Sequence, residues 1–491
     1  MKNPSPSPSG TGPSPSGTGK TPSGPLDRYF RVSERGSTFG TEVRGGLATF
    51  FAMAYIVVLN PLIIGTAEDV NGETLGIPQV AAVTALVAAI SCVLMGVVSR
   101  YPFAIAAGMG LNAVVAYGIA PVMPWSDVFL LIIIEGVLLL ILVLTGFRTA
   151  VFAAIPPGLK VAIAVGVGLF LALVGLVNAG FVQAGEGTPV QLGNGGLQGW
   201  PILIFVIGLL VTLALYVRKV PGSMLIGIIA STVVALLVES LFGGGDNRLG
   251  WSLTVPTLSS GGGVVAIPDF SLVGMFADGG LNVLSRWADI GIATVVMLIF
   301  TLLLADFFDT MGTMVGVAHQ GDLADEDGNI QGSREVLAAD SIGTVLGGLG
   351  SASVATIYAE SAAGVGEGAR TGIAPIVTGV LMMLATLFTP LVNLVPFEAA
   401  TPVLVIVGFM MMVQVVNIDF TDPALGLGSF MAIIMMPFTY SIANGIGFGL
   451  LTYAFVSLVT GKGRQVHPLL WLISLVFLIH FAEAPINALI G

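Results

Sequence analysis

Two aspartates three residues apart, Asp306 and Asp309, lie deep in the apolar stretch IGIATVVMLIFTLLLADFFDTMGTMVGVA. If that stretch is a helix, a three-residue spacing puts both carboxylates on one face. An aspartate at the centre of a bilayer-spanning helix costs about 2.5–3.5 kcal/mol on insertion scales, so a pair of them is a functional feature by default. No Lys or Arg lies deep in any of the chain's apolar stretches. An internal ion pair therefore does not explain the acids. They need a proton, a cation or hydrogen-bond donors from a ligand. The competing reading is local: each caps a broken helix or bonds to Thr310 or Thr313. A third acid, Glu360, follows the small-residue stretch SASVATIYA. There it would stand near the start of a half-helix, where the dipole favours an anion, and it could accept from ring N–H groups or simply cap the helix. Asn112, after GMGL, offers two donors and an acceptor. It could read a ring edge or satisfy backbone at a break. Gly108 and Gly110 beside it allow close backbone approach.

The elements that must hold these groups are membrane helices. Of the 491 residues, 55% are hydrophobic and 9% charged, and the mean hydropathy is +0.97. A water-facing surface needs about 25% charged residues. The expected fold is all-α and polytopic, because the apolar runs are continuous, about 20 residues long, and do not alternate as barrel strands do. The single cysteine, Cys92, excludes an intramolecular disulfide framework and a cysteine-based zinc cluster. His319, His467 and His480 are scattered, so no metal site, cofactor motif or nucleophile–base set is expected and the chain does not read as an enzyme. The net charge of −11 calls for no nucleic-acid partner, since most of the acids fall in loops.

Residues 1–25 are nearly all Ser, Pro, Gly, Thr and Lys, a composition that cannot bury a core. Segment 26–43 mixes Arg with Phe, Tyr and Leu and is expected at the membrane surface. Fourteen spans follow. The first seven (44–242) cover 44–65, 79–99, 103–119, 127–146, 157–178, 199–217 and 221–242. The second seven (287–460) cover 287–317, 334–350, 352–369, 372–392, 397–416, 422–440 and 442–460. Residues 243–286 form a long extracytoplasmic loop with an interfacial segment. A C-terminal apolar stretch, 467–488 within 461–491, either spans or lies on the membrane. Arg28, Arg31, Arg35, Arg44, Arg100, Arg148, Lys160, Arg218, Lys219, Arg334, Arg370, Lys462 and Arg464 all fall on one side if the N-terminus is cytoplasmic. Only the long loop departs, with Arg248 and Arg286.

Seven spans turn the chain over, so the two halves have inverted topology. The third span of each half, FAIAAGMGLNAVVAYGI and SASVATIYAESAAGVGEGAR, is rich in small residues. Each reads as a short extended piece leading into a half-helix, the pattern that marks a transporter site. The backbone freed by such breaks must be satisfied by protein or by a cavity. Lesser candidates are Glu135, which could face the core or another subunit, Asp340, whose position near the start of its span favours a structural role, and Tyr440 with Asn444, placed to serve a gate. Loop 322–329, DLADEDGN, resembles a calcium loop but puts Leu323 and Arg334 at its first and twelfth positions. A solvated turn is the better reading.

Four stretches together, TEVRGGLATFFAMAYIVVLNP, GMGLNAVVAYG, DFFDTMGTMVGVA and TIYAESAAGVGEGARTG, carry a resemblance to the guanine/hypoxanthine permease (AzgA-like) branch of the nucleobase–ascorbate transporter superfamily. It runs from about residue 27 to the C-terminus. The resemblance implies two inverted seven-span repeats, a core domain (spans one to four and eight to eleven) and a gate domain (spans five to seven and twelve to fourteen), and a homodimer through the gate. It places substrate between the half-helices of spans three and ten, beside span eight. Glu360 and Asp306 would contact a purine, Asn112 would shape or contact the site, and Asp309 would support coupling. On that footing the expected activity is import of guanine or hypoxanthine with a proton across the inner (plasma) membrane by alternating access, with Phe307 or Tyr358 stacking on the ring. Adenine or xanthine transport, or an anion transporter of the same architecture, are the rivals.

Overall fold

The structure is a computed structural model that describes residues 24–146, 155–183, 185, 190–193, 199–244, 247–252, 255–257, 263–280, 283–321, 323, 330 and 332–482. Residues 1–23 of the polar tail and most of loop 322–329 lie outside the described residues, as do the side chains of His319 and His480. Among the described residues, nine helices are long and apolar enough to cross a bilayer.

The first of these is Phe39–Ile64, made of α1 (Phe39–Met53) and α2 (Ile56–Ile64). It begins at Phe39, ahead of the expected 44, because the Thr38 side chain caps it by accepting from Thr41 N. The two pieces meet at Ala54–Tyr55, and Pro61 removes a further helical donor. Next come α3 (Ile77–Val98), strand β1 (Ile105–Ala107) with half-helix α4 (Met109–Ala113), and α5 (Trp125–Thr145). Then follow α6 (Pro157–Asn178), α7 (Trp200–Val217) and α8 (Ser223–Val238). The second half supplies α9 (Ile292–Gln320), α10 (Ser333–Leu349), strand β2 (Ala355–Ile357) with half-helix α11 (Ser361–Gly366), and α12 (Ile373–Ala385). It closes with α13 (Pro402–Met412), α14 (Pro423–Phe438), α15 (Ile442–Val459) and α16 (Pro468–Phe481). The last has 14 residues, or about 21 Å of rise, against a hydrocarbon core of about 30 Å.

The helices pack in two groups. One joins α1–α5 with α9–α12, through α1 and α3 on α12, α5 on α10, and α11 on α1. The other joins α6–α8 with α13–α15, through α6 on α13 and α14, α7 on α8, and α14 on α15. Between them, α6 meets α4 and α9, and α8 meets α1. Three of the helix crossings are backbone-to-backbone contacts between glycines. A Cβ on Gly45 would lie 2.9 Å from the carbonyl oxygen of Gly364, one on Gly96 2.3 Å from that of Gly372, and one on Gly408 2.5 Å from that of Gly168. Small residues at crossings let membrane helices approach for van der Waals contact where lipid gives no hydrophobic drive. Gly372→Ala should therefore force α3 and α12 apart, since its Cβ would sit 1.9 Å from the Gly96 carbonyl oxygen. We expect a loss of about 3 kcal/mol, read as a lower thermal midpoint of the detergent-solubilised protein. Gly40→Ala, whose Cβ meets nothing closer than 4.0 Å, should leave the midpoint unchanged.

Candidate functional site

The site is built where the chain stops being helical. β1 and β2 run antiparallel, pairing Ile105 with Ile357, Ala106 with Thr356 and Ala107 with Ala355. All six residues are buried. Two strands of three residues leave many backbone groups to satisfy, and the neighbours do so. Gly108 N donates to the Val354 carbonyl at 2.9 Å and Tyr358 N to that of Ala104 at 2.9 Å. Ala104 N donates to Ser361 Oγ at 2.9 Å. Asn60 Nδ2 donates to the Ala352 carbonyl at 2.9 Å, Thr344 Oγ1 to that of Ala355 at 2.9 Å, and Tyr358 Oη to that of Ala107 at 2.6 Å. Non-helical backbone at this depth survives because protein groups replace water.

A cavity of about 360 Å³ opens beside these strands, in the size range of small-molecule sites. The first packing group lines it with Tyr55, Gly108–Gly110, Asp309, Thr313, Thr356, Tyr358 and Glu360. The second lines it with Ala164, Leu171, Val407, Met410, Met411 and Gln414. Tyr55 Oη hydrogen-bonds to Glu360 Oε1, fixing the carboxylate's rotamer. Among the described residues, no Lys, Arg or His is in this lining. The wall thus offers two carboxylates and several hydroxyls on one side and an almost wholly apolar surface on the other. It can accept hydrogen bonds from a small molecule on one side and make apolar contact on the other.

Of the six residues singled out from sequence, the structure places Glu360, Asp309 and Tyr358 on the cavity wall. Asp306, Asn112 and Phe307 do not line it and are fully or almost fully buried. Three residues of helix turn the direction by about 60° relative to the next full turn and advance it about 4.5 Å, enough for the two aspartates to part. Asp309 faces the cavity, while Asp306 faces α10 and β2. There Thr310 Oγ1 lies 3.1 Å from Asp306 Oδ1, 3.0 Å from Asp340 Oδ2 and 2.8 Å from Thr356 Oγ1. Thr344 Oγ1 lies 3.2 Å from Asp306 Oδ2. Asn112 is buried with neither amide atom hydrogen-bonded among the described residues. Tyr358 donates its hydroxyl to backbone, so its ring edge is held in place.

Several contributors escaped the sequence reading. Tyr55 carries a faint signal, a hydroxyl in the middle of an apolar run. Thr344, Thr356 and Gln414 carry none, because ordinary membrane helices use Thr and Gln for local bonding, whereas Thr310, expected as a local partner of the aspartates, does bond to Asp306. Asp340 proves fully buried and joined to Asp306 through Thr310. Glu135 is buried inside the chain itself, on the helix that packs against α10, so no second subunit is needed to cover it. Tyr440 packs edge-on to Tyr117 and Phe170 at ring distances of 5.6 and 5.2 Å. Asn444 N donates to Ser441 Oγ at 3.3 Å in the cap of α15.

The same scaffold and sequence recur in known transporters. The transmembrane domain of the cyanobacterial bicarbonate transporter BicA superposes with a TM-score of 0.55 at 15% identity, covering 84% of this chain and 97% of that one. SLC26A9 superposes with a TM-score of 0.57 at 12% identity, covering 86% and 65%. Likeness at that identity concerns the fold alone. In sequence, the guanine/hypoxanthine permease PbuG of Bacillus subtilis is 37% identical over 93% of this chain and 99% of its own length. The adenine permease AdeP of Escherichia coli is 33% identical over 93% and 96%. Residues 40–448 match the permease family Xan_ur_permease. A mostly helical, multi-pass chain whose non-helical breaks frame an acid-lined cavity, and which aligns with permeases along nearly its whole length, belongs to that family and is a membrane transport protein rather than an enzyme.

Proposed function

We propose that the chain is a secondary transporter that imports purine nucleobases, guanine or hypoxanthine first, together with a proton. The observation that carries this reading is the cavity lined by Glu360 and Asp309 with, among the described residues, no cationic side chain. Ring N–H groups donate to the carboxylates, and charge-assisted bonds of this kind are the strong ones. The Tyr358 ring, anchored through its hydroxyl, offers a stacking surface. The names of the relatives, guanine/hypoxanthine and adenine permeases, agree with this substrate class. An anion would meet two carboxylates and no compensating cation, which disfavours the bicarbonate-type reading that the fold alone would allow.

Proton coupling has support from hydrogen counting. Thr310 Oγ1 carries one hydrogen and has three oxygens within 3.1 Å. It can donate to one of them, and the other two must donate to it or face it as bare lone pairs. Thr356 can be one donor. If Asp306 or Asp340 is the other donor, one proton resides on the pair. In this reading Asp306 and Asp340 hold the coupling proton behind the substrate wall, Asp309 links them to the cavity, and Asn112 shapes the floor with Gly108 and Gly110. The two packing groups act as core and gate, related as inverted repeats. The N-terminus is cytoplasmic, the chain sits in the plasma (inner) membrane, and the gate group is the dimer surface.

The test is uptake of radiolabelled hypoxanthine in cells lacking their own purine permeases, competed by a panel of unlabelled bases. Strong competition by guanine and none by uracil is expected. Absence of purine uptake, with the protein present in the membrane, would refute the proposal.

A further inference from the structure

The cavity's two walls differ in kind. On the acid side a ligand finds carboxylates, hydroxyls and backbone. On the opposite side it finds, among the described residues, Ala164, Leu171, Val407, Met410 and Met411, and a single polar side chain, Gln414. Gln414 sits in the 3₁₀ turn Val413–Asn417 that continues α13. It is exposed at the edge of the cavity, and its amide makes no hydrogen bond among the described residues. A purine that donates N–H groups to Glu360 and Asp309 has ring acceptors left over on its far edge. An apolar wall cannot serve them, and an unserved polar edge costs affinity. A glutamine amide carries two N–H donors, either of which can serve one such acceptor.

We infer that Gln414 is a specificity-determining residue that donates from its amide to an acceptor on the purine edge facing away from Glu360 and Asp309. The inference rests on the purine reading of the cavity. Because Gln414 belongs to the second packing group and the acids to the first, its bond spans the seam between them. It forms only when the two groups bring Gln414 within reach of the bound ring. The residue thus helps to set which base is held, while the carboxylates set that a base is held at all.

The experiment is a cycle between one side chain and one ligand atom. Hypoxanthine uptake by the full-length protein is competed with analogues that each lack one ring acceptor: 3-deaza and 7-deaza. In the wild type one of them should compete about fivefold to tenfold less well than hypoxanthine. Gln414→Met keeps length and shape but not the amide. It should weaken hypoxanthine by a similar factor and erase the penalty for that one analogue alone. Gln414→Glu, which replaces the donor by an acceptor, should weaken hypoxanthine further while leaving the amount of protein in the membrane unchanged. A merely structural role would lower uptake of every base equally and preserve both penalties. Purine uptake in the wild type with unchanged penalties in Gln414→Met would overturn the Gln414 assignment alone. A wild type that takes up no purine would overturn it together with the purine reading.

Discussion

Glu360→Gln should reduce hypoxanthine uptake efficiency by about 100-fold while leaving the protein folded. The substitution keeps the shape of the side chain and an oxygen that Tyr55 can still bond. What it removes is the charge, and it places an NH₂ group where a ring N–H must donate. A hydrogen bond to a charged group contributes about 1.5–3 kcal/mol, and misdirecting it leaves a buried donor unmet. The sum corresponds to one to two powers of ten or slightly more in affinity. The loss should appear as a raised half-saturation constant, with normal amounts of protein in the membrane and an unchanged thermal midpoint. Tyr55→Phe provides the graded companion: it frees the Glu360 rotamer without touching the charge, and a loss of about tenfold is expected. If Glu360→Gln transports with wild-type half-saturation, Glu360 does not face the substrate.

Asp306→Asn should abolish uphill accumulation while sparing exchange. In proteoliposomes, an imposed pH gradient should drive concentration of hypoxanthine by the wild type and leave the variant at equilibrium. Counterflow of labelled against unlabelled base should persist in the variant. The reason is the hydroxyl at the centre of the network. With an amide at position 306, an N–H can satisfy Thr310 permanently, so the proton that must enter and leave no longer has to. Asp340→Asn should behave alike, because Thr310 stands between the two carboxylates. Asp309→Asn acts from the cavity side and should also raise the half-saturation constant. Gradient-driven accumulation that survives both Asp306→Asn and Asp340→Asn would remove the pair from the coupling path.

The membrane architecture was legible because lipid makes simple demands. Continuous apolar runs favour helices, and among the described residues nine of the fourteen stretches expected to span coincide with helices long and apolar enough to cross a bilayer. Both breaks were legible for the same reason. Small residues gather ahead of Met109 and Ser361 at matching places in the two halves, the pattern of discontinuous spans, and a bilayer tolerates no unpaired backbone. The depth of Asp306, Asp309 and Glu360 was likewise visible, since charge is costly there and stands out against apolar neighbours.

The division of labour among those acids was not legible. Sequence spacing put Asp306 and Asp309 on one helix face, but a face is broad. Which side of it meets a cavity depends on what packs alongside, and here α10 and β2 take Asp306 while open space takes Asp309. Asp340 looked peripheral because its place near a span end says nothing of the Thr310 that reaches it from 30 residues away. Tyr55, Thr356 and Gln414 join the site from three separate elements, and no local pattern predicts a contact that only tertiary packing creates. Sequence determined that this protein crosses the membrane, where its helices break and that acids lie at the breaks. Only the tertiary structure decided which acid faces the cavity and which is held behind it, because hydrogen-bond partners at 3 Å are set by helix packing and not by spacing along the chain.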